Sequence, residues 1–246
     1  MTPRVSSSIN IPKQDRSRAS FERVLDTAVE ILKERGYEGF TLQDVSRRSR
    51  TSIGSIYCRV KGKDELFQAV QEHALAKIDS EIRDILDPDK WSNVRPQKQV
   101  YFLVREIAEH LRRHTPILRA FISREAADPV VRKRGKKSHS LVAERFRALL
   151  MHHADQFSHP DPGHAVSFCF DLTFAAIAKH LDLDTITPSQ DGAQWNQLID
   201  DLGRVNALYL FSSDFLFEQE YIHAARPVPS IGRSGALPVH SKRNGR

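Results

Sequence analysis

Groups that bind phosphate are concentrated in one short stretch of this 246-residue chain, TSIGSIYCRVKGKDELF at residues 51–67. Serine and threonine hydroxyls, a tyrosine and several lysine or arginine side chains stand close together there, and all of these groups bind phosphate oxygens. Gly62 breaks the stretch, and the acidic and apolar residues after it are typical of the start of a new helix. The pattern indicates one short helix beside a basic cluster that would contact a polyanion.

Positive charge is also concentrated around this stretch. The whole chain has 37 Lys or Arg and 31 Asp or Glu, a net charge of +6. Residues 16–63 contain eleven of these basic residues and six of the acidic ones, an excess of five, so nearly all of the net charge lies in one part of the chain. A local basic face of this kind is typical of nucleic-acid binders, although a solvated surface can have the same composition.

The spacing of apolar residues predicts three short helices over residues 16–62. In the first helix the apolar residues recur every three or four positions, and Gly36 ends the pattern. Thr41 is a typical N-cap for the second helix, with Asp44 at its third position, and Ser52 can cap the third helix about ten residues later. The second and third helices would be joined by a tight turn. This layout is a helix-turn-helix.

The second helix of a helix-turn-helix enters the major groove of DNA, which is about 12 Å wide. In this chain that helix would be residues 52–59. Ile53 and Ile56, three positions apart, are expected to anchor it in the core. Gly54 would allow close approach of the backbone, and Ser55 can bond to a base edge or to a phosphate.

Residues 18–67 resemble the DNA-binding domain of the TetR (tetracycline-repressor) family of bacterial transcriptional regulators. The segments that carry the resemblance are VLDTAVEILKERGYEGFTLQDVSRRS, SIGSIY and KDELF, in the order and register of the family pattern. The resemblance implies that the DNA backbone is contacted by Thr41, Ser52, Tyr57 and Lys63, with Arg50 beside them in the turn. It also implies that the residues nearest to the bases are Ile53, Gly54 and Ser55.

Three residues depart from the family pattern. Arg50 follows Ser49 in the turn where the family usually has glycine, and a left-handed backbone has an energetic cost at any other residue. Val60 replaces an aromatic residue, so we expect looser packing there. Cys58 replaces a polar or basic residue, and we expect a small buried side chain, although the neighbouring cations would also favour a reactive thiolate.

The rest of the chain has helical patterns and no convincing strand, which predicts an all-α fold. We expect an N-terminal three-helix helix-turn-helix domain and a larger C-terminal helical domain for ligand binding and dimerisation. Pro116 and Pro129 are each expected to open a new helix. The helices predicted in this part are 100–113, 116–127, 129–153, 165–181 and 195–217. The predicted segments are a disordered arm at 1–15, the DNA-binding domain at 16–78, the effector-binding and dimerisation domain at 79–222 and a disordered basic tail at 223–246.

Two further roles are implied by the resemblance. The last two long helices of the family usually pair with those of a second subunit, which implies a homodimer through Phe168, Leu172, Ala175, Ala176, Leu202, Val205 and Tyr209. Gly203 would let the two subunits approach closely.

The helices between the DNA-binding domain and the last two helices would enclose an effector pocket lined by Tyr101, Phe102, Phe121, Phe146, Phe168, Phe170 and Phe174. Each of these aromatic residues is also compatible with an ordinary core position.

A second candidate for chemistry is the histidine-rich segment HHADQFSHPDPGH at residues 152–164. Imidazole and carboxylate groups this dense can bind Zn²⁺ or Ni²⁺, but their spacing matches no fixed ligand motif. We therefore favour a polar loop, and we expect no metal ion, no cofactor and no enzymatic activity. The competing hypotheses are a metal-dependent helical enzyme that uses this loop and a helical adaptor that does not bind DNA.

The partners expected from these patterns and from the resemblance are double-stranded DNA with a palindromic operator, a second copy of the chain and an unidentified small-molecule effector. No run of about 18 apolar residues is present, so no membrane association is expected. The chain has two cysteines and no apolar leader segment, which favours the cytoplasm. The sequence thus predicts a cytoplasmic, ligand-responsive DNA-binding regulator that acts as a repressor.

Overall fold

The computed structural model describes residues 11–183 and 192–212, and these residues form helices and no strand. The helices are α1 (Ile11–Arg35), α2 (Leu42–Ser49), α3 (Ile53–Tyr57), α4 (Lys63–Ile85), α5 (Pro88–Trp91), α6 (Pro96–Glu125), α7 (Pro129–Met151), α8 (Pro162–His180) and α9 (Gly192–Phe211), with a 3₁₀ turn at Ala154–Gln156. The all-α prediction is confirmed. Within the described ranges, no helix has the length and apolar character needed to cross a membrane.

The buried apolar side chains form two separate clusters, which we call the N-terminal core and the C-terminal core. The N-terminal core contains side chains of α1 to α4, and Ile117 and Phe121 of α6 also belong to it. The C-terminal core contains the end of α4 and most of the buried side chains of α6 to α9. On α4 the two cores divide between Ile78 and Ile82. Helices α4 and α6 therefore belong to both cores, and α7 also contributes Val131 to the N-terminal core.

Helix α6 differs from the prediction, because it runs without interruption from Pro96 to Glu125 with Pro116 inside it. A proline in a helix interior removes one hydrogen bond and costs about 3 kcal/mol. Pro116 lies on the exposed face of α6, so water can reach the carbonyl that it leaves without a partner, and the next residue, Ile117, is fully buried. Burial of the apolar face on both sides of Pro116 offsets the cost and keeps the two predicted helices as one.

The ends of the first and last helices also differ from the predicted ones. Helix α1 begins at Ile11, so residues 11–15, which we assigned to a disordered arm, are helical. The prediction missed this turn because the segment PKQDRSRAS at residues 12–20 has no large apolar residues at helical spacing. Helix α9 begins at Gly192 and is described as far as Phe211. The predicted arm at 1–10, the end of the predicted last helix and the predicted tail lie outside the described residues.

Close contact between α9 and α6 depends on a glycine. A Cβ atom added to Gly203 would lie 2.7 Å from Cδ2 of Tyr101 and 3.2 Å from its backbone oxygen. The Tyr101 hydroxyl donates to Oδ1 of Asp200 at 2.7 Å, and Arg105 bonds to the same oxygen, so the ring has little freedom to move. Gly203 does permit a close approach as expected, but the approach is that of α6 within one subunit.

We predict that Gly203→Ala destabilises the protein relative to Gly54→Ala, because the new methyl group would overlap a ring that is held in place. Overpacking of this kind costs about 1–3 kcal/mol. Gly54→Ala is the matched control, since a Cβ atom there meets no atom within 4 Å. The free energies of unfolding from urea titration provide the comparison. Equal stability of the two variants would contradict the proposed contact.

Candidate DNA-binding surface

The N-terminus of α2 is fixed by the hydrogen bonds that the sequence predicted. The backbone N–H of Asp44 donates to Oγ1 of Thr41 at 3.1 Å, and the Thr41 hydroxyl donates to the Asp44 carboxylate at 2.9 Å. Leu42 and Val45 are buried beneath this cap. The Thr41 hydroxyl is therefore positioned at the start of α2, although its hydrogen bond to Asp44 competes with any bond to a phosphate.

The turn between α2 and α3 passes through Arg50 in the left-handed region, with φ 54° and ψ 36°. This conformation costs a non-glycine residue about 1–2 kcal/mol. Ser46 offsets the cost, because its carbonyl accepts from the N–H of Thr51 at 3.2 Å and its hydroxyl donates to the Thr51 carbonyl at 2.7 Å. Arg50 therefore adopts a left-handed conformation that the bonds between Ser46 and Thr51 support.

Helix α3 presents its first turn to solvent. Ser52 caps it by accepting from the N–H of Ser55 at 3.2 Å, and the two serine hydroxyls are 2.7 Å apart. Tyr57 is 51% exposed, and Ile53 is 36% exposed. Gly54 and the two serines are exposed as well. The residues implied to contact the bases thus form one accessible surface together with the flanking tyrosine.

The expectation that Ile53 anchors α3 is wrong, because Ile56 is fully buried and Ile53 is not. Residues three apart are separated by about 60° around a helix axis. In a helix of five residues, one of them can face the core while the other stands at its edge. Val60 follows Ile56 into the N-terminal core, with 5% of its surface exposed.

Cys58 is exposed, which corrects the expectation of a buried side chain. It lies two residues after the buried Ile56, and residues two apart point to nearly opposite sides of a helix. Its neighbour Arg59 turns back to α1, where its guanidinium lies 4.7 Å from the ring centroid of Phe21 and donates to the Ser17 carbonyl at 2.8 Å. Arg59 therefore fastens the end of α3 to α1.

Lys63 lies at the N-terminus of α4, and its ammonium is 4.2 Å from the ring centroid of Tyr37. The guanidinium of Arg124, from α6, lies 3.9 Å from the same ring centroid. The Tyr37 hydroxyl donates to Asp64; burial and this carboxylate raise the pKa of Tyr37 to about 12. Sequence reasoning missed Tyr37 and Arg124, because the aromatic residue and the second cation are distant in sequence from the helix-turn-helix.

The arginines around the turn differ in their partners. Arg48 forms two hydrogen bonds to Glu34, at 2.6 and 2.8 Å, and these bonds lower the pKa of that carboxyl. Arg47 pairs with Asp44. Arg50 is exposed and has no acidic partner within the described residues. Of the three, Arg50 has the side chain that is most available to an incoming phosphate.

The predicted effector residues are only partly brought together. A cavity of about 490 Å³ lies between α4, α6, α7 and α8, and Phe121 and Phe174 line it. Four other predicted residues do not line this cavity: Tyr101 bonds to Asp200, Phe146 packs on Phe170 in the C-terminal core, and Phe102 and Phe168 are exposed. Phe170 does not line the cavity either. Aromatic composition alone does not distinguish a cavity wall from a core position.

The residues predicted at a dimer interface lie on α8 and α9. Phe168 and Val205 are exposed, and so is Leu208, which is not among the predicted residues. The ring centroids of Phe168 and Tyr209 are 5.3 Å apart, so the exposed faces of the two helices adjoin. Leu172, Ala175 and Ala176 are exposed or partly exposed, whereas Leu202 is buried within the subunit. The exposed and partly exposed residues form a surface across α8 and α9 that we call the apolar stripe: Phe168, Leu172, Ala175, Ala176, Val205, Leu208 and Tyr209.

Three histidines of the histidine-rich segment form hydrogen bonds within the protein through their ring nitrogens. Nδ1 of His152 lies 2.7 Å from the Ala148 carbonyl, and Nε2 of His153 lies 2.9 Å from Oε1 of Gln99. Nδ1 of His159 accepts from the backbone N–H of Asp161 at 3.0 Å. These contacts favour the polar-loop interpretation.

Comparison with known proteins agrees with this geometry. Residues 24–70 match the model of the family described as bacterial regulatory proteins, tetR family. An uncharacterized HTH-type transcriptional regulator, YvdT of Bacillus subtilis (strain 168), is 26% identical over 98 residues, which are 39% of this chain and 50% of that protein.

Solved structures share the fold over more of the chain. A putative TetR-family transcriptional regulator from Mesorhizobium loti MAFF303099 matches with a TM-score of 0.66 and 14% identity, over 78% of this chain and 96% of that one. A TetR transcription regulator from Haloarcula marismortui ATCC 43049 matches with a TM-score of 0.58 and 16% identity, over 78% and 97%. The segment at residues 24–70, which contains the exposed α3, is thus similar to the bacterial regulatory proteins of the tetR family, and most of the chain shares the fold of these solved structures.

Proposed function

We propose that this protein is a dimeric transcriptional repressor that leaves a palindromic operator when a small molecule binds to it. The observation that carries the proposal is the exposed surface of α3, where Ser52, Ile53, Gly54, Ser55 and Tyr57 stand accessible above the buried Ile56. The protein would act in the cytoplasm, by binding and without catalysis.

The exposed residues divide into two kinds of DNA contact. Ser55 and Ile53 would meet base edges, the serine by hydrogen bonds and the isoleucine by contact with a thymine methyl group. Tyr57, Arg50 and Lys63 would contact phosphates, which position the protein without reading sequence. The aromatic face of Tyr37 would support Lys63 from below, because it holds the ammonium at the N-terminus of α4.

Dimerisation would come from the apolar stripe on α8 and α9. A single helix-turn-helix makes few contacts, and two-fold pairing doubles them across a palindrome. Phe168, Val205 and Leu208 expose large apolar side chains there, and burial of such a stripe against its symmetry copy removes it from water. The two-fold axis would thus pass close to α8 and α9.

The effector would bind in the cavity lined by Phe121 and Phe174. Most of the wall is apolar, and the polar groups that face it include His139 and Glu125. Burial lowers the pKa of His139 and raises the pKa of Glu125, so both environments favour the uncharged form. An effector that is largely apolar or aromatic suits this cavity. It would release DNA only if it bound more tightly to a conformation in which the two α3 helices no longer match successive major grooves.

We predict that Lys63→Ala weakens binding to DNA of any sequence, because it removes one phosphate contact. The slope of log affinity against log salt concentration should become less steep by about one. Fluorescence anisotropy with a random-sequence duplex at several salt concentrations measures the slope. Lys133→Ala is the matched control, since Lys133 is an exposed lysine on α7, outside the helix-turn-helix. Identical slopes for the two variants would contradict a phosphate contact by Lys63.

We also predict that Leu208→Glu converts the protein into a monomer, because it would place a charge in the centre of the apolar stripe, where Leu208 is 51% exposed. Sedimentation equilibrium should give twice the chain mass of 28.1 kDa for the unchanged protein and the single chain mass for the variant. Gln197→Glu adds the same charge at an exposed polar position of α9 and should leave the dimer intact. A monomeric unchanged protein, or a dimeric Leu208→Glu variant, would refute this interface.

A further inference from the structure

Three side chains with metal-binding chemistry meet between α4 and α6, in a part of the fold that the proposed DNA contacts do not use. Glu81 lies on α4, and His110 and His114 lie one turn apart on α6. Each residue offers one possible ligand atom, and these three atoms all lie within 4.8 Å of one another. Oε2 of Glu81 is 2.8 Å from Nε2 of His114 and 3.5 Å from Nδ1 of His110.

His110 is the unusual member of this cluster. Its side chain is 2% exposed, and neither ring nitrogen has a hydrogen-bond partner. A buried polar group without a partner costs about 1–3 kcal/mol. An ordinary ion pair between Glu81 and His114 would be complete without this histidine. A bound ligand that bonds to a ring nitrogen of His110 would remove this cost, since the described residues form no hydrogen bond to either nitrogen.

The separations of the three groups are close to those of a tetrahedral site. Bonds of about 2.0–2.2 Å place tetrahedral ligand atoms roughly 3.3–3.5 Å apart, so each side chain would have to shift by about 1 Å or less. Glu81 and His114 are partly exposed, which provides an entry path and the freedom to adjust. Two imidazoles and one carboxylate are a ligand set that Zn²⁺ takes when a fourth position remains open.

We propose that Glu81, His110 and His114 form a binding site for a divalent transition-metal ion of the zinc class. His110 also lines the cavity described above, so the fourth position would be available to water or to a donor atom from the cavity side. The ion would join α4 to α6 at the junction of the two cores. On α4 this junction lies between Ile78 and Ile82, and on α6 it lies between Leu111 and Ile117.

The sequence contained part of this signal. His110 and His114 have the i, i+4 spacing that places two imidazoles on one face of a helix. The predicted helix ends at Arg113, because Thr115 and Pro116 indicate a new start, and this boundary separates the two histidines. Glu81 is 29 residues away from His110, and only the packing of α4 on α6 brings it to the pair.

The test is a titration of the full-length protein with Zn²⁺ after removal of metal by a chelator. We expect one ion per chain by isothermal titration calorimetry. The melting temperature should rise by roughly 5–10 °C when free Zn²⁺ is about 100 times its dissociation constant. Co²⁺ in place of Zn²⁺ should give the visible absorption of tetrahedral coordination. These measurements require no DNA, so their failure is distinguishable from a failure of the proposed regulatory function.

Variants locate the ion. Glu81→Gln keeps the size of the side chain and can still bond to His114, and it should remove most of the Zn²⁺-dependent rise in melting temperature. His110→Ala and His114→Ala should do the same. His159→Ala and His164→Ala remove imidazoles from the histidine-rich loop and should retain the full effect. Absence of Zn²⁺ binding would overturn the proposal, and so would binding that survives Glu81→Gln and is lost in the two loop variants.

Discussion

The position of α3 depends on the burial of Ile56. A helix of five residues is not stable in water by itself, so tertiary contacts must hold it in place. Ile56 and Val60 provide these contacts in the N-terminal core, and full burial of one such side chain contributes about 1.5–3 kcal/mol. The exposed residues of α3 have their orientation because this one side faces inward. The contact of Arg59 with Phe21 fixes one end of α3, and the bonds from Ser46 of α2 to Thr51 fix the other.

The second constraint is that α4 and α6 pass through both hydrophobic cores. A change in the C-terminal core that moves either helix also moves side chains that pack beneath α1, α2 and α3, such as Phe67 and Phe121, whose ring centroids are 5.7 Å apart. The cavity proposed for the effector and the cluster proposed for a metal ion both adjoin these two helices. Either ligand would therefore act on the elements that carry the DNA-binding surface, without a separate hinge.

Local features were predictable from sequence, and features that depend on packing between distant segments were not. The caps at Thr41 and Ser52 and the acidic start of α4 follow from side-chain chemistry within a few residues. The length of α6 did not, because the rule for proline competes with burial on both sides of Pro116. The exposure of Ile53 and Cys58 depends on how far the core extends beneath a short helix. Tyr37, Arg124 and Glu81 reach their partners only through the tertiary fold.

The dimeric repressor that we propose would read DNA sequence with a symmetric pair of α3 helices. The direct measurement is a selection of genomic DNA fragments by the purified protein, followed by sequencing. We expect enrichment of a two-fold symmetric sequence whose half-sites are separated by one helical turn, about 10–10.5 base pairs, or a multiple of it. Recovery of fragments without a common symmetric sequence would contradict it.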